Sequence, residues 1–297
     1  MGSGVTAQRA RVEEDRMRRR MDAFWRPGLY DVLCKLKGKE LGGWRVESLL
    51  AAGGQGVVMR VRRQALVGVM KMPLVGYDRP VSFGSRQVRR LRQGLEREAR
   101  MLALHSGTLL PGLIELATGE NPLLEGRSAR LQGSERFLVM EAVEGLALDA
   151  ACVSSAPDGR RMARWAGELL GFVHRLRSHQ HFYTDFKPNN IIVRPDGGLS
   201  LVDAGGICVL GQDEAVEVTP GFGQVPEVLE AGALEALSLM ALGRAFYAAL
   251  SGRMLYQGVA LEASALSSTN EPWRRWVMRL SLGELNTVEE ARAALAF

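Results

Sequence analysis

The strand-like runs of this sequence precede most of its long helical runs, and that order limits the folds it can adopt. From Trp44 onward, three short runs rich in β-branched residues are separated by glycine-rich or polar turns; they read WRVESLLAA, GVVMRVRR and LVGVMKMP. Short runs of this kind, joined by turns, are typical of an antiparallel sheet. Strands that are followed by helices predict an α+β fold, with a small sheet-rich lobe and a larger helical lobe.

Helical periodicity appears in the segments that follow. SRQVRRLRQGLEREARMLALH carries Leu95 and Leu102 along one side, and residues 160–180 form a second amphipathic pattern. LEALSLMALGRAFYAALSG is strongly apolar, which predicts a buried helix, and Gly252 is placed to end it. We expect a last pair of helices at the C-terminal end and a basic, charged helix within residues 1–40.

The composition is that of a globular protein with a modest preference for anionic partners. Of its 297 residues, 46% are apolar and 24% are charged, which argues against wholesale disorder. The net charge of +5 favours phosphate-bearing ligands, but it is small for a dedicated nucleic-acid-binding protein. The three cysteines lie far apart, so we expect no disulfide framework or zinc site, and a cytoplasmic location. No uninterrupted apolar stretch approaches the ~18 residues of a membrane span.

A polar stretch stands directly before an apolar run in HFYTDFKPNNIIV. Asp185, Lys187 and Asn190 lie there, either in a simple polar turn or in a site. Because Asn190 and Asp203 bracket a predicted hairpin of apolar strands, we expect them to meet at its open end. An amide oxygen and a carboxylate at that point would suit Mg²⁺, which prefers oxygen ligands. Asp185 could accept the proton of an incoming hydroxyl, and Lys187 could neutralise a transferring phosphoryl group.

Glycines and a lysine in the strand region form a candidate phosphate site. Gly53, Gly54 and Gly56 lie where backbone N–H groups could approach phosphate oxygens, although an ordinary hairpin turn would look the same. Lys71 occupies an apolar strand, where a lysine is costly unless it is paired or reaches solvent. Glu98 on the following helix is well placed to pair with it. The alternatives are a solvating lysine on an edge strand and a surface glutamate paired with nearby arginines.

These motifs, in their order along the chain, resemble those of the eukaryotic-type (Hanks-type) serine/threonine protein kinase family from about Trp44 onward. LLAAGGQGVV is similar to the glycine-rich loop, VGVMK to the strand of the ATP-binding lysine, and FLVMEAVEG to the hinge. YTDFKPNN resembles the catalytic loop, VDAGG stands in place of Asp-Phe-Gly, and VTPGFGQVPE resembles the end of the activation segment. One such motif would be weak evidence, but six in the family's order are specific.

The resemblance implies a bilobal protein-kinase-like fold that uses ATP and Mg²⁺. A basic N-terminal extension would cover residues 1–40, the small antiparallel-sheet lobe with one main helix and the hinge would cover 41–145, and the mostly helical lobe 146–297.

The resemblance also gives the matching residues their roles. It implies that Asp185 is the catalytic base, that Lys187 lies at the transferring phosphoryl group, and that Thr219 lies at the substrate site. Asn190 and Asp203 would bind the metal. The residues implied to form the ATP site are Gly53, Gly54, Gly56, Val58, Lys71, Glu98, Met140, Glu141 and Val143.

Four positions depart from the family's pattern and keep a second hypothesis open. Ala51 replaces a loop glycine, Val69 replaces an alanine over the adenine, and Ala204 replaces a phenylalanine. Ser238 stands where the family has an aspartate that braces the catalytic loop. These departures favour, as the second hypothesis, a pseudokinase that acts as a nucleotide-binding scaffold or regulatory partner.

Two further departures concern the activation segment. Tyr183 and Thr184 replace His-Arg, so the arginine that binds a phosphorylated activation loop is absent, and the last helices lack a clear arginine for Glu227. A third hypothesis, a small-molecule phosphotransferase of the same fold, is disfavoured by the TPGF…PE segment. We therefore expect that the partner is a protein substrate or a regulatory protein. We expect no membrane span in the chain and no nucleic-acid partner.

Overall fold

A computed structural model describes residues 29–52, 56–73, 85–122, 134–213, 216, 218–256 and 258–295 of the protein. Contacts between residues divide the chain into two compact units. Unit 1 comprises Met1–Arg100 and Gly112–Ala142, and unit 2 comprises Met101–Pro111 and Val143–Phe297. Most of the basic extension predicted over residues 1–40 lies outside the described residues, as do Gly53 and Gly54.

Unit 1 contains a six-stranded antiparallel sheet with the strand order β1-β2-β3-β4-β6-β5. The strands are β1 (Glu40–Leu41), β2 (Trp44–Ala52), β3 (Val57–Arg63), β4 (Leu66–Met72), β5 (Leu113–Glu120) and β6 (Ser134–Glu141). In β3, Val57, Met59 and Val61 are buried and the residues between them are partly exposed, as the period of two in a strand requires. The antiparallel sheet predicted from the runs after Trp44 is therefore confirmed.

Two helices flank parts of this sheet along the chain. Helix α1 (Leu29–Cys34) precedes it, and its Leu29 and Tyr30 belong to the same buried core as Trp44. Helix α2 (Ser85–Leu104) follows β4 and confirms the helix predicted from the periodicity of that segment. The start of the chain's described part is thus an integral piece of the core of unit 1.

Unit 2 combines helices with short antiparallel strand pairs. Its helices are α3 (Leu148–Ser154), α4 (Gly159–Arg177), α5 (Ala231–Ser251), α6 (Glu271–Ser281) and α7 (Val288–Ala293), with 3₁₀ turns at Pro188–Asn190, Ala204–Gly206 and Ala263–Leu266. Its strands are β7 (Leu146–Ala147), β8 (His181–Tyr183), β9 (Ile191–Val193), β10 (Leu199–Leu201) and β11 (Ile207–Val209). β9 lies between β10 and β7, and β8 pairs with β11. The two units together confirm a mixed α/β fold with antiparallel sheets.

The apolar helix α5 is buried along most of its length and contacts α3, α4, α6 and β8. It ends where Gly252 adopts a left-handed φ of +65°, which confirms the predicted C-cap. Among the described residues, α5 is the one helix whose length and composition would allow it to cross a membrane. However, 72% of its apolar window is buried inside the protein, so packing in the core accounts for its composition.

The close contact between α5 and α6 leads to a stability prediction. A Cβ atom at Gly243 would lie 2.5 Å from Leu280 Cβ and 2.5 Å from the backbone nitrogen of Ser281, so the helices would have to move apart. We expect Gly243→Ala to lower the free energy of unfolding by about 2 kcal/mol, because overpacking strains a well-packed core. Urea unfolding followed by circular dichroism measures this change.

Gly232→Ala, in the first turn of the same helix, is the matched control. A Cβ atom there would meet nothing within 4 Å. The substitution should leave the stability unchanged or raise it slightly, because alanine favours helices over glycine by up to about 1 kcal/mol. Equal effects of the two substitutions would contradict the tight packing of α5 on α6.

Candidate functional site

The predicted catalytic stretch forms a loop between β8 and β9 in unit 2. Phe186 is fully buried, and its ring lies 4.6 Å from that of Tyr183 in an edge-to-face arrangement. The backbone N–H of Thr184 donates to the carbonyl of Gly206 at 3.0 Å, which continues the pairing of β8 with β11. Apolar packing and strand pairing therefore fix both sides of Asp185.

Asp185 is the centre of the polar contacts in this loop, although only 9% of its surface is exposed. Its Oδ2 accepts hydrogen bonds from Lys187 Nζ at 2.6 Å and from Asn190 Nδ2 at 3.0 Å. Its Oδ1 accepts a short hydrogen bond from the hydroxyl of Thr219. The structure thus brings together three of the residues predicted from the loop and adds Thr219, which the resemblance had placed at the substrate site.

Lys187 connects the carboxylate with the hydroxyl. Its Nζ lies 3.3 Å from Thr219 Oγ1 as well as 2.6 Å from Asp185 Oδ2. A hydroxyl that donates to a carboxylate, with an ammonium group beside both, has the arrangement in which a base could take the hydroxyl proton. The ammonium group could stabilise negative charge that develops on the hydroxyl oxygen.

Gly206 is a contributor to this site that the sequence did not single out. A Cβ atom at Gly206 would lie only 2.6 Å from Asp185 Cβ. The turn after Asp203 can therefore approach the loop only because this residue has no side chain. The sequence signal was present in VDAGG, whose second glycine follows the one expected from Asp-Phe-Gly.

Asn190 and Asp203 were predicted to meet at the open end of this hairpin, and the described contact there joins Asn190 to Val202, the residue before Asp203. The N–H of Val202 donates to the carbonyl of Asn190 at 3.0 Å, at the open end of the β9–β10 hairpin. The side chains differ in their contacts: Asn190 Nδ2 donates to Asp185, whereas Asp203 Oδ1 accepts from the N–H of Gly205 at 3.0 Å.

The donor atoms in this region fit Mg²⁺ better than a softer metal. The nitrogen of the Asn190 amide donates its bonds within the loop, so its oxygen is the atom that suits a cation, and Asp203 contributes a carboxylate. Mg²⁺ retains several waters and needs only one or two protein oxygens. Across the described ranges, no group of three or more His, Cys, Asp or Glu side chains is arranged to hold a metal ion. Asn190 and Asp203 as a magnesium site therefore stay a prediction.

Unit 1 contains the predicted ion pair of the strand region. Lys71 Nζ lies 2.7 Å and 2.9 Å from the two carboxylate oxygens of Glu98. The side chains are 13% and 4% exposed, respectively. Because β4 lies between β3 and β6, Lys71 is not a solvating lysine on an edge strand, and that alternative is wrong. The pair holds an ammonium group in a fixed position on an interior strand.

The other predicted residues of the ATP site occupy β3, β6 and their ends. Gly56 packs so closely on the backbone of Met72 that a side chain would clash, and Val58 opposes Lys71 across β3 and β4. Met140 is buried in β6. The last two of the predicted residues are partly open: Glu141 is exposed and accepts from the N–H of Gly112 at 2.9 Å, and Val143 is half-buried. Their contacts with ATP stay predictions.

The chain is similar in sequence to several serine/threonine protein kinases. No protein-family model matches the chain. Serine/threonine-protein kinase PknA of Mycobacterium tuberculosis is 27% identical over 247 residues, which are 78% of this chain and 52% of PknA. Probable serine/threonine-protein kinase PknB of Lactococcus lactis is 26% identical over 144 residues, 46% of this chain and 23% of PknB. Serine/threonine-protein kinase 17A of Oryctolagus cuniculus is 25% identical over 184 residues, 59% of this chain and 45% of its own length.

The chain is a divergent relative of the Hanks-type serine/threonine protein kinases. It spans about half of the length of these curated relatives or less. The similarity implies a kinase fold and bears out the resemblance derived from the order of the motifs.

The positions that depart from the kinase pattern have local partners. The hydroxyl of Ser238 donates to the carbonyl of Leu234 in its own helix at 2.8 Å, so its described hydrogen bond does not reach the loop. Thr184 is fully buried, and its hydroxyl donates to the carbonyl of Gly206 at 3.2 Å. Tyr183 is also fully buried, and its hydroxyl accepts from Asn190 Nδ2 at 3.4 Å. Tyrosine and threonine thus support the loop of this kinase relative in place of His-Arg.

A different ion pair ties the C-terminal helices together. The side chain of Glu227 is exposed, whereas Glu235 at the start of α5 is 2% exposed. Glu235 forms an ion pair with Arg177 of α4 at 3.1 Å and accepts from the N–H of Val288 at 2.9 Å. The sequence contained no signal for this contact, because the three residues lie in separate helices far apart in the chain.

A histidine cluster near β8 was also missed. His105 Nε2 and His181 Nδ1 are 2.8 Å apart, both residues are buried, and the His179 ring lies 5.9 Å from that of His105. Burial, with smaller contributions from His181 and His179, lowers the pKa of His105 to about 4. Burial and His179 also lower the pKa of His181, against an opposing effect of Asp213. Both histidines are therefore neutral in the folded protein near pH 7.

We expect the free energy of unfolding of the protein to depend on whether one partner of the Lys71–Glu98 pair is removed or both are. Lys71→Met removes one charge of the described pair and keeps the buried carboxylate of Glu98, so it should lower the free energy of unfolding by about 3 kcal/mol. The double variant Lys71→Met/Glu98→Leu should recover most of that loss, because an apolar pair needs no compensation. Urea unfolding of the wild type, both single variants and the double variant measures the coupling.

The pair of Arg62 and Glu47 is the control for this comparison, because its side chains are 45% and 30% exposed. Arg62→Met should have little effect on stability. A double variant at Lys71 and Glu98 as unstable as Lys71→Met would contradict the expectation that the loss comes from removing one charge of the pair while the other stays buried.

We expect the stability of the protein to fall as the pH drops from about 6.5 toward 4. The folded pKa values of His105 and His181 are lowered, so in this range the unfolded chain binds protons that the folded protein does not. The expected slope is about 1.4 kcal/mol per pH unit for His105, and His181 adds to it in the same direction. Urea unfolding at a series of pH values measures it.

His105→Gln removes the titrating group, keeps a polar atom near the position of Nε2 and should flatten this slope. His174→Gln is the control, because His174 is exposed on α4. A slope that is the same in the wild type and in His105→Gln would show that other groups cause the pH dependence.

Proposed function

We propose that the chain is an ATP-dependent protein serine/threonine kinase that transfers a phosphoryl group from Mg-ATP to a hydroxyl of a protein substrate. The observation that carries this proposal is the Asp185 carboxylate, which accepts a hydrogen bond from a threonine hydroxyl while Lys187 contacts both groups. A carboxylate that already holds the Thr219 hydroxyl offers the geometry in which it could hold a substrate hydroxyl.

The proposed reaction assigns each proton and bond. The substrate oxygen forms a bond to the γ-phosphorus of ATP as the bond to the leaving ADP oxygen breaks, and Asp185 takes the hydroxyl proton. Lys187 stabilises charge on the transferring group, and Lys71, held by Glu98, binds phosphate oxygens of ATP. Asn190 and Asp203 would hold Mg²⁺, which when bound offsets the negative charge of the phosphates.

The same residues support the proposed substrate class. Lys187 two residues after the base, and Thr219 at the base, resemble the serine/threonine class of the family. The protein substrate, the bilobal arrangement of a kinase and a cytoplasmic location are parts of this proposal.

A second candidate function, a nucleotide-binding scaffold, is favoured by one specific observation. Ser238 satisfies its hydroxyl within its own helix, so the catalytic loop lacks the carboxylate brace that the family places there. A protein whose loop has more freedom would still bind nucleotide, but it would transfer phosphoryl groups slowly or not at all. The two candidates differ in whether Asp185 performs chemistry.

We expect Asp185→Asn to reduce phosphoryl transfer by ~10²–10⁴, the usual contribution of a general base, and to leave ATP binding largely intact. The assay follows γ-labelled ATP with Mg²⁺ and casein as a generic acceptor protein. Lys71→Met should reduce transfer through weaker phosphate binding. Asp196→Asn is the matched control, because this exposed aspartate lies in the turn between β9 and β10, outside the site.

The outcomes separate the hypotheses. Label on casein or on the protein itself in the wild type and in Asp196→Asn, but not in Asp185→Asn, supports the kinase. No transfer by the wild type, with ATP still raising the thermal midpoint of unfolding, favours the scaffold. Label that goes to a free sugar or aminoglycoside in preference to casein would point to a small-molecule phosphotransferase.

A further inference from the structure

Arg244 is an arginine in the middle of the apolar helix α5. Its Nε donates to the carbonyl of Ser281 at 3.1 Å, and its Nη1 donates to the carbonyl of Gly221 at 3.0 Å. The side chain is half-buried, and burial lowers the pKa of its guanidinium group. Among the residues that the structure describes, no carboxylate forms an ion pair with it. Its described polar contacts are therefore two backbone carbonyls of different segments.

One of these carbonyls belongs to a tight turn. The N–H of Phe222 donates to the carbonyl of Thr219 at 3.0 Å, and Gly221 has a left-handed φ of +90°. A Cβ atom at Gly221 would lie 2.7 Å from the carbonyl carbon and oxygen of Leu255, in the segment after α5. The turn is thus pressed against that segment on one side and hydrogen-bonded by Arg244.

The first residue of the turn is the one that reaches the candidate base. Thr219 donates its hydroxyl to Asp185 and lies 3.3 Å from Lys187 Nζ. A continuous series of contacts therefore runs from Arg244 through the Gly221 carbonyl and the turn to the Asp185 carboxylate.

We propose that Arg244 is a positioning residue that holds the Thr219–Phe222 turn so that the Thr219 hydroxyl reaches Asp185. The proposal deepens the proposed kinase function, because it describes how the acceptor side of the same site is held. In this proposal Arg244 on α5 holds the segment that, in the family pattern, an arginine in the last helices holds through the residue at Glu227.

An arginine suits this role because its planar group donates in two fixed directions. Lysine has a single nitrogen and cannot occupy both positions at once. Removing the guanidinium group leaves the Gly221 carbonyl without this donor, and the loss of one charge-assisted hydrogen bond corresponds to about tenfold or more in a local equilibrium.

The first test uses hydrogen exchange of the full chain without any ligand. In Arg244→Met, amide exchange in peptides that cover the Thr219–Phe222 turn should rise about tenfold, while peptides from β9 and β10 keep their wild-type rates. Arg244→Lys should give an intermediate rise and serves as the test if the methionine variant does not fold. Arg253→Met, which removes an exposed arginine paired with Glu262, is the matched control and should leave the turn unchanged.

Unchanged exchange in the turn, or a uniform rise throughout unit 2, would overturn the proposal. The second result would mean that Arg244 supports the core as a whole. The exchange measurement does not depend on catalysis. A wild type that transfers no phosphate would therefore rule out the proposed kinase function and leave this test of Arg244 valid.

The second test separates positioning from general loss of function. With casein as acceptor, Arg244→Met should raise the KM for casein or lower kcat about tenfold while the KM for ATP stays within about twofold. Arg244→Lys should restore part of the activity. Equal losses for ATP and casein, with no recovery in the lysine variant, would contradict a role on the acceptor side.

Discussion

The burial of the Asp185 carboxylate is the constraint around which the polar part of unit 2 is arranged. A carboxylate with 9% exposure has lost most of its water, and only close hydrogen bonds offset that cost. Lys187 and Asn190 supply two of them from the same loop. The third comes from Thr219, 34 residues further along the chain, so compensation of the charge requires the later segment to fold onto the loop. The contacts that make the buried carboxylate tolerable also place a hydroxyl and an ammonium group on it.

Ion pairs that hold a buried carboxylate repeat this principle in both units. Lys71 and Glu98 join β4 to α2, and Arg177 and Glu235 join α4 to α5. Such pairs contribute little net stability, because desolvation of two charges roughly cancels their attraction. What they supply is a defined position for each charged group, which the proposed role of Lys71 at phosphates would require and which helps neighbouring helices to keep one relative orientation.

The sequence predicted what local patterns determine. The three strand runs after Trp44, the buried helix that ends at Gly252 and the pairing of Lys71 with Glu98 were all anticipated, because periodicity and the cost of a lysine in an apolar strand are local signals. The pair of His105 and His181, 76 residues apart, was not anticipated, because no local pattern encodes it. The sequence places Arg244 within an apolar helix, but no pattern in that sequence indicates that its guanidinium group contacts two backbone carbonyls.

The departures from the kinase pattern illustrate why motifs alone give an incomplete view of competence. The described hydrogen bond of the Ser238 hydroxyl stays within its own helix, and the loss of the aspartate at this position, taken alone, suggests a loose site. The structure shows other sources of order in the same loop: the buried rings of Tyr183 and Phe186 pack edge to face, and Thr184 binds the carbonyl of Gly206. Arg244 acts on the other side of the base, through the turn that carries Thr219. Whether a loop is held in place depends on the sum of its contacts, and a residue missing from one position can be offset by packing and hydrogen bonds at others.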